Sequence, residues 1–299
     1  MKTSSISMLP MRISSALEQR TRNSAFPRFV VDDVLENEEY DLLFNEFPDH
    51  LIRKPGFDGF SNYEVKPEVK PSELLSENWN RFIEVIRSDA TKTALVEVCL
   101  DQTMKRYPPA WRWSLRSRLR NPDNYEINLA FSANYAGRYL PPHTDNSYKV
   151  LALVLYFAPR GYTGVDEGTQ FFEPLTASAL KSAVRKYNRL ADSRLVRYAP
   201  ICLLPMTSCN IHNHCLTPED IQANETWFEK HFRIDGSVSF HSNRIAGFIK
   251  TQSSFHAVDM RNSTFEGPRR SLLINLNLRH SLAARLGQSI RTKVLGLSS

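Results

Sequence analysis

The stretch from Tyr139 to Phe157 constrains the fold and the chemistry of this chain more than any other. Its second half, from Lys149 onward, is an almost unbroken apolar run and predicts a buried β-strand. Just before that strand, His143 and Asp145 are two positions apart, so extended backbone points both side chains to the same face. An imidazole nitrogen and a carboxylate oxygen together suit iron, manganese or zinc. This stretch therefore predicts a metal site at the end of a strand.

Short β-strands separated by turn residues dominate the chain from residue 125 onward. Residues 175–232 interrupt this pattern with two predicted helices, at 179–190 and 218–232, and one possible strand. The order of elements favours an α+β fold, a sandwich or jelly roll with helices packed outside. The predicted strands are 125–135, 150–157, 169–172, 195–204, 237–240, 245–249 and 270–278.

The N-terminal part of the chain is predicted to be mainly helical. A short strand in 26–35 leads into a helix that begins with acidic residues and ends before Pro48. A helical pattern with one apolar face follows in 72–104. Residues 1–23 are rich in Ser and Arg with a single acid, Glu18, and we expect a flexible tail. The alternative is a transit-like segment directed to an organelle.

The segment 107–120 interleaves aromatic residues with arginines. One interpretation is a strand that faces an anionic ligand or substrate. The other is an edge strand, with Trp111, Trp113 and Leu115 packed inward by alternation and the arginines solvated. The edge strand is preferred, because charged residues normally cover a sheet edge.

Composition limits the function classes. The net charge of +6 and the pI near 9.1 are mildly basic and spread along the chain, which suits an anionic substrate or an acidic partner. No dense run of Lys and Arg favours nucleic acid. Four cysteines in 299 residues do not form a disulfide framework. No segment approaches the ~20 apolar residues that span a bilayer, so we expect a cytoplasmic protein without membrane partners.

A third metal ligand has a candidate in His256, which follows the predicted strand 245–249. On spacing alone, a distant histidine is more often structural than metal-binding. Shortly afterwards, Arg269 and Ser271 share one face of a strand and are suited to clamp a carboxylate. Arg270 is the competing arginine, because the apolar residues that follow share its alternation phase.

Four motifs follow one another at 135–146, 153–157, 243–258 and 269–272. They are a tyrosine–glycine–His-x-Asp strand, an apolar strand, a strand before a distal histidine, and an Arg-x-Ser strand. In this order they resemble the iron(II)/2-oxoglutarate-dependent dioxygenases, in the branch of prolyl hydroxylase-like proteins. The resemblance covers roughly 125–175 and 236–278, with an entry segment at 26–48.

The resemblance implies a double-stranded β-helix, a cupin-like jelly roll, with metal at one end. His143, Asp145 and His256 would be catalytic and hold Fe(II). The implied reaction consumes O2 and 2-oxoglutarate, releases succinate and CO2, and hydroxylates an unactivated C–H bond. Related halogenases carry a small residue in place of the carboxylate, so Asp145 favours hydroxylation or desaturation.

The cosubstrate site is also implied by the resemblance. Arg269, helped by Ser271, would bind the C5 carboxylate of 2-oxoglutarate, and Tyr135 would hydrogen-bond the cosubstrate. The Arg-x-Ser phase of the family favours Arg269 over Arg270. The interval between the two histidines is longer than usual because of the insertion, and Glu167 stands where many relatives have glycine.

The insertion carries a rival metal motif of cysteines and histidines. Such residues bind zinc, although this spacing fits no standard zinc ribbon or finger, and a polar loop with free thiols is the alternative. The motif residues are Cys202, Cys209, His212, His214 and Cys215.

Together these patterns predict one dioxygenase domain at 24–280, between tails at 1–23 and 281–299. Within it we expect helical support at 36–104, a β-helix core at 125–175 and 236–278, and an insertion at 176–235 that forms a lid or a substrate-binding element. The expected substrate is a small metabolite or a protein side chain, with the small molecule favoured. A non-catalytic jelly-roll binding module with a vestigial or zinc-filled site is the alternative. The sequence does not determine the oligomeric state.

Overall fold

The structure, a computed structural model, describes residues 8–20, 26–52, 62–65, 74–105, 107, 109–146, 148–188, 208–213 and 215–279. Within these residues the strands form two antiparallel sheets. The strands are β1 (Arg28–Val31), β2 (Asn62–Val65), β3 (Tyr125–Asn134), β4 (Tyr139–Thr144), β5 (Lys149–Phe157), β6 (Thr163–Pro174), β7 (Cys209–Asn210), β8 (Phe232–His241), β9 (Arg244–Ile249), β10 (His256–Asp259) and β11 (Arg269–Leu278).

The two sheets have the strand order of a double-stranded β-helix. The larger sheet runs β1-β9-β5-β11-β3-β2 and the smaller sheet runs β7-β4-β10-β6-β8. From β3 to β6, and again from β9 to β11, successive strands alternate between the two sheets, so the chain winds around a shared interior. The predicted jelly roll is therefore confirmed. β1 and β2 extend the larger sheet at its two edges by pairing with β9 and β3.

Helices cover the outer faces of both sheets. The elements α1 to α5 precede the β-helix in sequence, and α6 and α7 belong to the insertion. They are α1 (Leu9–Arg20), α2 (Asn37–Asn45), α3 (Glu77–Arg87), α4 (Asp89–Met104), α5 (Pro109–Arg120), α6 (Ala177–Lys186) and α7 (Pro218–His231).

The helix ends follow ordinary capping chemistry. The side chain of Ser76 accepts a hydrogen bond from the backbone of Trp79 at the start of α3. Thr217 and Asp220 form a reciprocal capping box at the start of α7. No helix in the described part of the chain is long and apolar enough to cross a membrane.

The side chains of β11 alternate between the two faces of the larger sheet, and a separate hydrophobic cluster lies on each face. Leu272, Ile274 and Leu276 point outward and pack with the apolar faces of the N-terminal helices in the largest hydrophobic cluster. The aromatic residues between the sheets form a second cluster, which includes Tyr156 and Phe240. A third cluster joins α6 and α7 to the outer face of the smaller sheet. The interior of the β-helix is thus walled by packed layers on both sides.

The segment 107–120 is not an edge strand. Its greater part forms α5, in which Leu115 and Leu119, one helical turn apart, are buried and Trp113 is 90% exposed. Pro109 occupies the first position of the helix, where its fixed φ is favourable and its missing N–H costs nothing. Apolar residues at alternate positions favour a strand, but the two buried leucines are four residues apart, which is the helical period.

The N-terminal region also differs from the expected flexible tail. Residues 9–20 form α1, and Leu9 and Ile13 are buried in the largest cluster. Arg12 also donates a hydrogen bond to the backbone carbonyl of Asp33. The predicted strand at 195–204 and the C-terminal tail at 281–299 lie outside the described residues.

Candidate metal centre

His143, Asp145 and His256 converge at one end of the interior. One ligand atom from each lies within 4.8 Å of the others. His143 near the end of β4 is the direct antiparallel partner of His256 at the start of β10, and Asp145 follows β4 by one residue. In the described part of the chain, no other group of three His, Cys, Asp or Glu residues has this geometry.

Both imidazoles are oriented for metal binding by their backbone neighbours. Nδ1 of His143 is 2.9 Å from the carbonyl oxygen of Pro141, and Nδ1 of His256 is 3.1 Å from that of Ser254. With the proton on Nδ1, each ring donates to its carbonyl and leaves the Nε2 lone pair for a metal. Oδ2 of Asp145 is buried without a hydrogen-bond partner among the described residues. These donors fit a divalent metal ion.

Burial and nearby charges shift the pKa values of the three candidate ligands toward the protonation states that metal binding requires. Burial lowers the pKa of His256 to about 3, with a further contribution from His143, and burial also lowers the pKa of His143. Burial by itself raises the pKa of Asp145, but the Lys149 ammonium and the two histidines outweigh it, so the net shift is downward. Neutral imidazoles and an ionised carboxylate are the binding forms of these ligands.

A cavity extends from the three residues into the space between the sheets. It encloses about 770 Å³ of space not filled by atoms, part of it open to solvent. Its wall combines seven apolar residues with nine polar or charged residues, among them the three candidate metal ligands. The lining residues include Ser132, Leu140, Lys149, Leu153, Thr169, Phe248, Val258, Arg269 and Asn275.

Arg269 provides a buried positive charge in this cavity. Its side chain is 3% exposed, and its Nε donates to the backbone carbonyl of Glu167. The guanidinium carbon lies 5.1 Å from the ring centroid of Tyr156. Burial lowers the pKa of Arg269, and Tyr156 and Glu167 oppose that shift. A buried guanidinium that lines a cavity is suited to bind a carboxylate.

The neighbouring Arg270 lies on the opposite face of β11. It forms an ion pair with Asp49, and its guanidinium lies near the rings of Phe44 and Phe47. Arg270 does not line the cavity that contains the histidines. Ser271 shares the face of Arg269 by alternation and is fully buried.

Tyr135 lies away from the cavity. It follows the end of β3, is 57% exposed and is not part of the cavity wall. A different tyrosine lies beside Arg269: the hydroxyl of Tyr156 is 2.6 Å from the hydroxyl of Thr169, which lines the cavity. The apolar motif at 153–157 includes Tyr156 without assigning it a role, and none of the four motifs includes Thr169 or Lys149.

The cysteines and histidine of the rival motif do not converge in the described residues. Nε2 of His212 is 3.0 Å from a carboxylate oxygen of Glu225. Cys209 is buried, and burial raises its pKa to about 11, which disfavours the thiolate that a metal requires. Cys215 Sγ is 3.1 Å from the amide of Asn224. Cys202 and His214 lie outside the described residues.

Comparisons with known proteins give structural similarity without sequence similarity. No protein-family model and no curated protein matches the chain. A Pseudomonas putida prolyl-4-hydroxylase is similar in structure, with a TM-score of 0.46, 10% identity, and coverage of 89% of this chain and 99% of the other.

Two further structures show the same level of similarity. One is the non-heme alpha-ketoglutarate-dependent epimerase SnoN from nogalamycin biosynthesis, with a TM-score of 0.44, 11% identity, and coverage of 90% of this chain and 83% of the other. The other is HygX from Streptomyces hygroscopicus with nickel and 2-oxoglutarate bound, with a TM-score of 0.42, 12% identity, and coverage of 85% and 84%. At these identities and TM-scores the similarities do not establish an activity for this chain.

Proposed function

We propose that the protein is an Fe(II)- and 2-oxoglutarate-dependent dioxygenase that hydroxylates an unactivated C–H bond. The observation that carries this proposal is the convergence of two histidines, one carboxylate and one buried arginine on a single cavity. The first three groups suit a redox-active metal with open coordination positions. The arginine suits the far carboxylate of an organic diacid.

In this proposal, His143, Asp145 and His256 would hold Fe(II) through Nε2, Oδ2 and Nε2. The metal would supply the binding and activation of dioxygen. The protein holds the two imidazoles by their Nδ1 contacts, which fix the tautomer and the orientation of each ring. Because the pKa of each histidine is lowered, both rings are neutral and able to bind metal at pH 7.

Arg269 binds the C5 carboxylate of 2-oxoglutarate and so orients the cosubstrate toward the metal. Thr169 lines the cavity and supplies a hydroxyl group for the same carboxylate, while Tyr156, whose ring lies beside the guanidinium, is hydrogen-bonded to that hydroxyl. Ser271 is buried on the same face of β11, and its Oγ has no hydrogen-bond partner among the described residues, which leaves it able to contribute. Tyr135 is not included, because its side chain is exposed and outside the cavity wall.

The apolar part of the wall excludes water from the reacting groups. Leu140, Val154, Phe248 and Val258 surround the polar centre. Exclusion of water strengthens the interactions of Arg269 and protects reactive species from side reactions. We take the substrate to be a small molecule or a protein side chain, processed by one domain at 24–280.

Anaerobic titration tests the cofactor assignment without a known substrate. Metal-free protein is supplied with Fe(II) and then with 2-oxoglutarate, and the weak visible charge-transfer band of the chelated complex is recorded. We expect the band in the wild type, no band in His143→Ala, and a higher 2-oxoglutarate requirement in Arg269→Ala. If no band forms in the wild type while zinc binds tightly, a non-catalytic binding module replaces the oxygenase.

An increase in succinate formation on addition of a substrate establishes coupled turnover. Under air, candidate small molecules and peptides are screened for succinate release above the uncoupled background and for a mass increase of one oxygen atom. A product without an added oxygen atom would exclude hydroxylation. The proposal would then be limited to an Fe(II)- and 2-oxoglutarate-dependent enzyme of another reaction type.

A further inference from the structure

Lys149 forms a partly buried ion pair with the carboxylate of the candidate metal site. Its Nζ lies 2.7 Å from Oδ1 of Asp145, and the two side chains are 17% and 13% exposed. Lys149 is the first residue of β5, and its backbone N–H donates to the carbonyl of Asn146 in the turn that joins β4 to β5. This turn fixes the position of the lysine relative to the carboxylate.

The two oxygens of Asp145 are therefore not equivalent. Oδ1 accepts the hydrogen bond from Lys149, whereas Oδ2 is buried without a hydrogen-bond partner among the described residues. A carboxylate without such a restraint binds metals through one oxygen or through both. Binding through both oxygens would occupy a coordination position that a dioxygenase must keep open.

We propose that Lys149 is a positioning residue that holds Asp145 as a single-oxygen ligand and so preserves one open position on the metal. The inference rests on the proposed iron site. It explains why a lysine, which raises the electrostatic cost of binding a cation nearby, is placed against a metal ligand. Its ammonium also balances the buried carboxylate when the metal is absent, since an unpaired buried charge is strongly destabilising.

The substitution Lys149→Met removes the hydrogen bond and the charge but retains much of the side-chain volume. The carboxylate is then able to turn and bind through both oxygens. We expect Fe(II) affinity to be retained or increased, because a nearby positive charge is lost. What decreases is the access of a small ligand to the open coordination position on the metal. The binding affinity for nitric oxide, used in place of dioxygen, measures this access.

Three proteins are compared as Fe(II)·2-oxoglutarate complexes under anaerobic conditions: the wild type, Lys149→Met and Lys149→Gln. We expect the affinity for nitric oxide to decrease by roughly tenfold or more in Lys149→Met, in the range found for residues that orient metal ligands. Lys149→Gln retains a hydrogen-bond donor on a side chain one bond shorter, and we expect a smaller decrease than in Lys149→Met. Lys92→Met is the control, because Lys92 pairs with exposed Asp89 on α4 at 2.8 Å, away from the cavity.

Several outcomes overturn the inference. They are an unchanged nitric oxide affinity in Lys149→Met, an equal loss in Lys149→Gln, and a loss of Fe(II) binding in Lys149→Met while the thermal unfolding temperature stays that of the wild type. If Lys149→Met does not fold, Lys149→Gln and Lys149→Ala decide by the same titration. If the wild type binds neither Fe(II) nor 2-oxoglutarate, the proposed function itself is wrong, and the inference falls with it.

Discussion

His143 and His256 face each other across β4 and β10, with their ring centroids 4.2 Å apart and their planes inclined by 50°. The two residues are far apart in sequence, but antiparallel pairing makes them direct partners. Side chains of paired residues lie on the same face of a sheet, so the pairing alone brings both imidazoles to one point. The convergence of the two imidazoles is thus a consequence of strand register.

The pH dependence of stability provides a first prediction for this pair. The pKa of His256 in the folded protein is about 3, below its ordinary value of 6.5, and that of His143 is also lowered. Between these values the unfolded chain binds more protons than the folded chain, so metal-free protein loses stability as the pH falls from about 6.5. The loss is up to about 1.4 kcal/mol per pH unit for each histidine.

Urea denaturation of metal-free protein at several values between pH 7.5 and pH 4.5 checks this dependence. His256→Gln should reduce the slope of unfolding free energy against pH, because one of the two groups no longer titrates. His50→Gln, a substitution at an exposed histidine, is the matched control. Equal slopes in the wild type and His256→Gln would contradict the prediction.

The adjacent arginines of β11 provide a second prediction. Arg269→Ala should weaken 2-oxoglutarate binding by at least about 30-fold, since loss of one partner of a buried charge pair costs about 2 kcal/mol or more. Arg270→Ala should leave the affinity within about twofold, because its partner is Asp49 on the other face. Anaerobic titration of the Fe(II) protein measures both. A larger effect at Arg270 would reverse the assignment.

Tyr156 provides a third prediction. Tyr156→Phe removes a hydroxyl that is hydrogen-bonded to Thr169, and we expect a loss of about 1 kcal/mol of stability and of roughly fivefold in 2-oxoglutarate affinity. Tyr40→Phe is the matched control, since it removes a buried hydroxyl that donates to the carbonyl of Ala158. It should cost similar stability in thermal denaturation and leave 2-oxoglutarate binding intact. Equal affinities in both variants would remove Tyr156 from the site.

The N-terminal helix provides a fourth prediction. Ile13 is fully buried against the core, whereas Met11 on the same helix is 57% exposed. Ile13→Ala should lower the unfolding free energy by roughly 2–4 kcal/mol, as buried aliphatic truncations do. Met11→Ala should change it by less than about 0.5 kcal/mol. Chemical denaturation measures both, and a neutral Ile13→Ala would mean that α1 does not contribute to the folded core in solution.

The sequence predicts the β-helix where local pattern and long-range packing agree. The strand at 150–157 is found as Lys149–Phe157, and that at 270–278 as Arg269–Leu278. The prediction was wrong for 107–120, where Trp113 and Leu115 fit the strand period while Leu115 and Leu119 fit the helix period. Local alternation does not decide between two periods in so short a segment.

The candidate metal site shows the same division. The convergence of His143 and Asp145 was predictable because their spacing is local, and that of His256 because a motif accompanied it. The sequence assigns no role to Lys149, Thr169 or Tyr156, because their contacts depend on a turn between strands and on the packing of one sheet against the other. Tyr135 was chosen from a motif and lies outside the cavity wall.

The opposite orientation of Arg269 and Arg270 has a consequence for how β11 maintains its alignment. A slip by one residue would still present an arginine to the interior, so the need for an arginine in the cavity does not by itself prevent this error. The protection comes from the rest of the strand, because the slip would bury Asn275 and Asn277 among the helices and turn three aliphatic side chains inward. Residues of β11 that lie away from the cavity thus fix the strand register that places Arg269 in the interior.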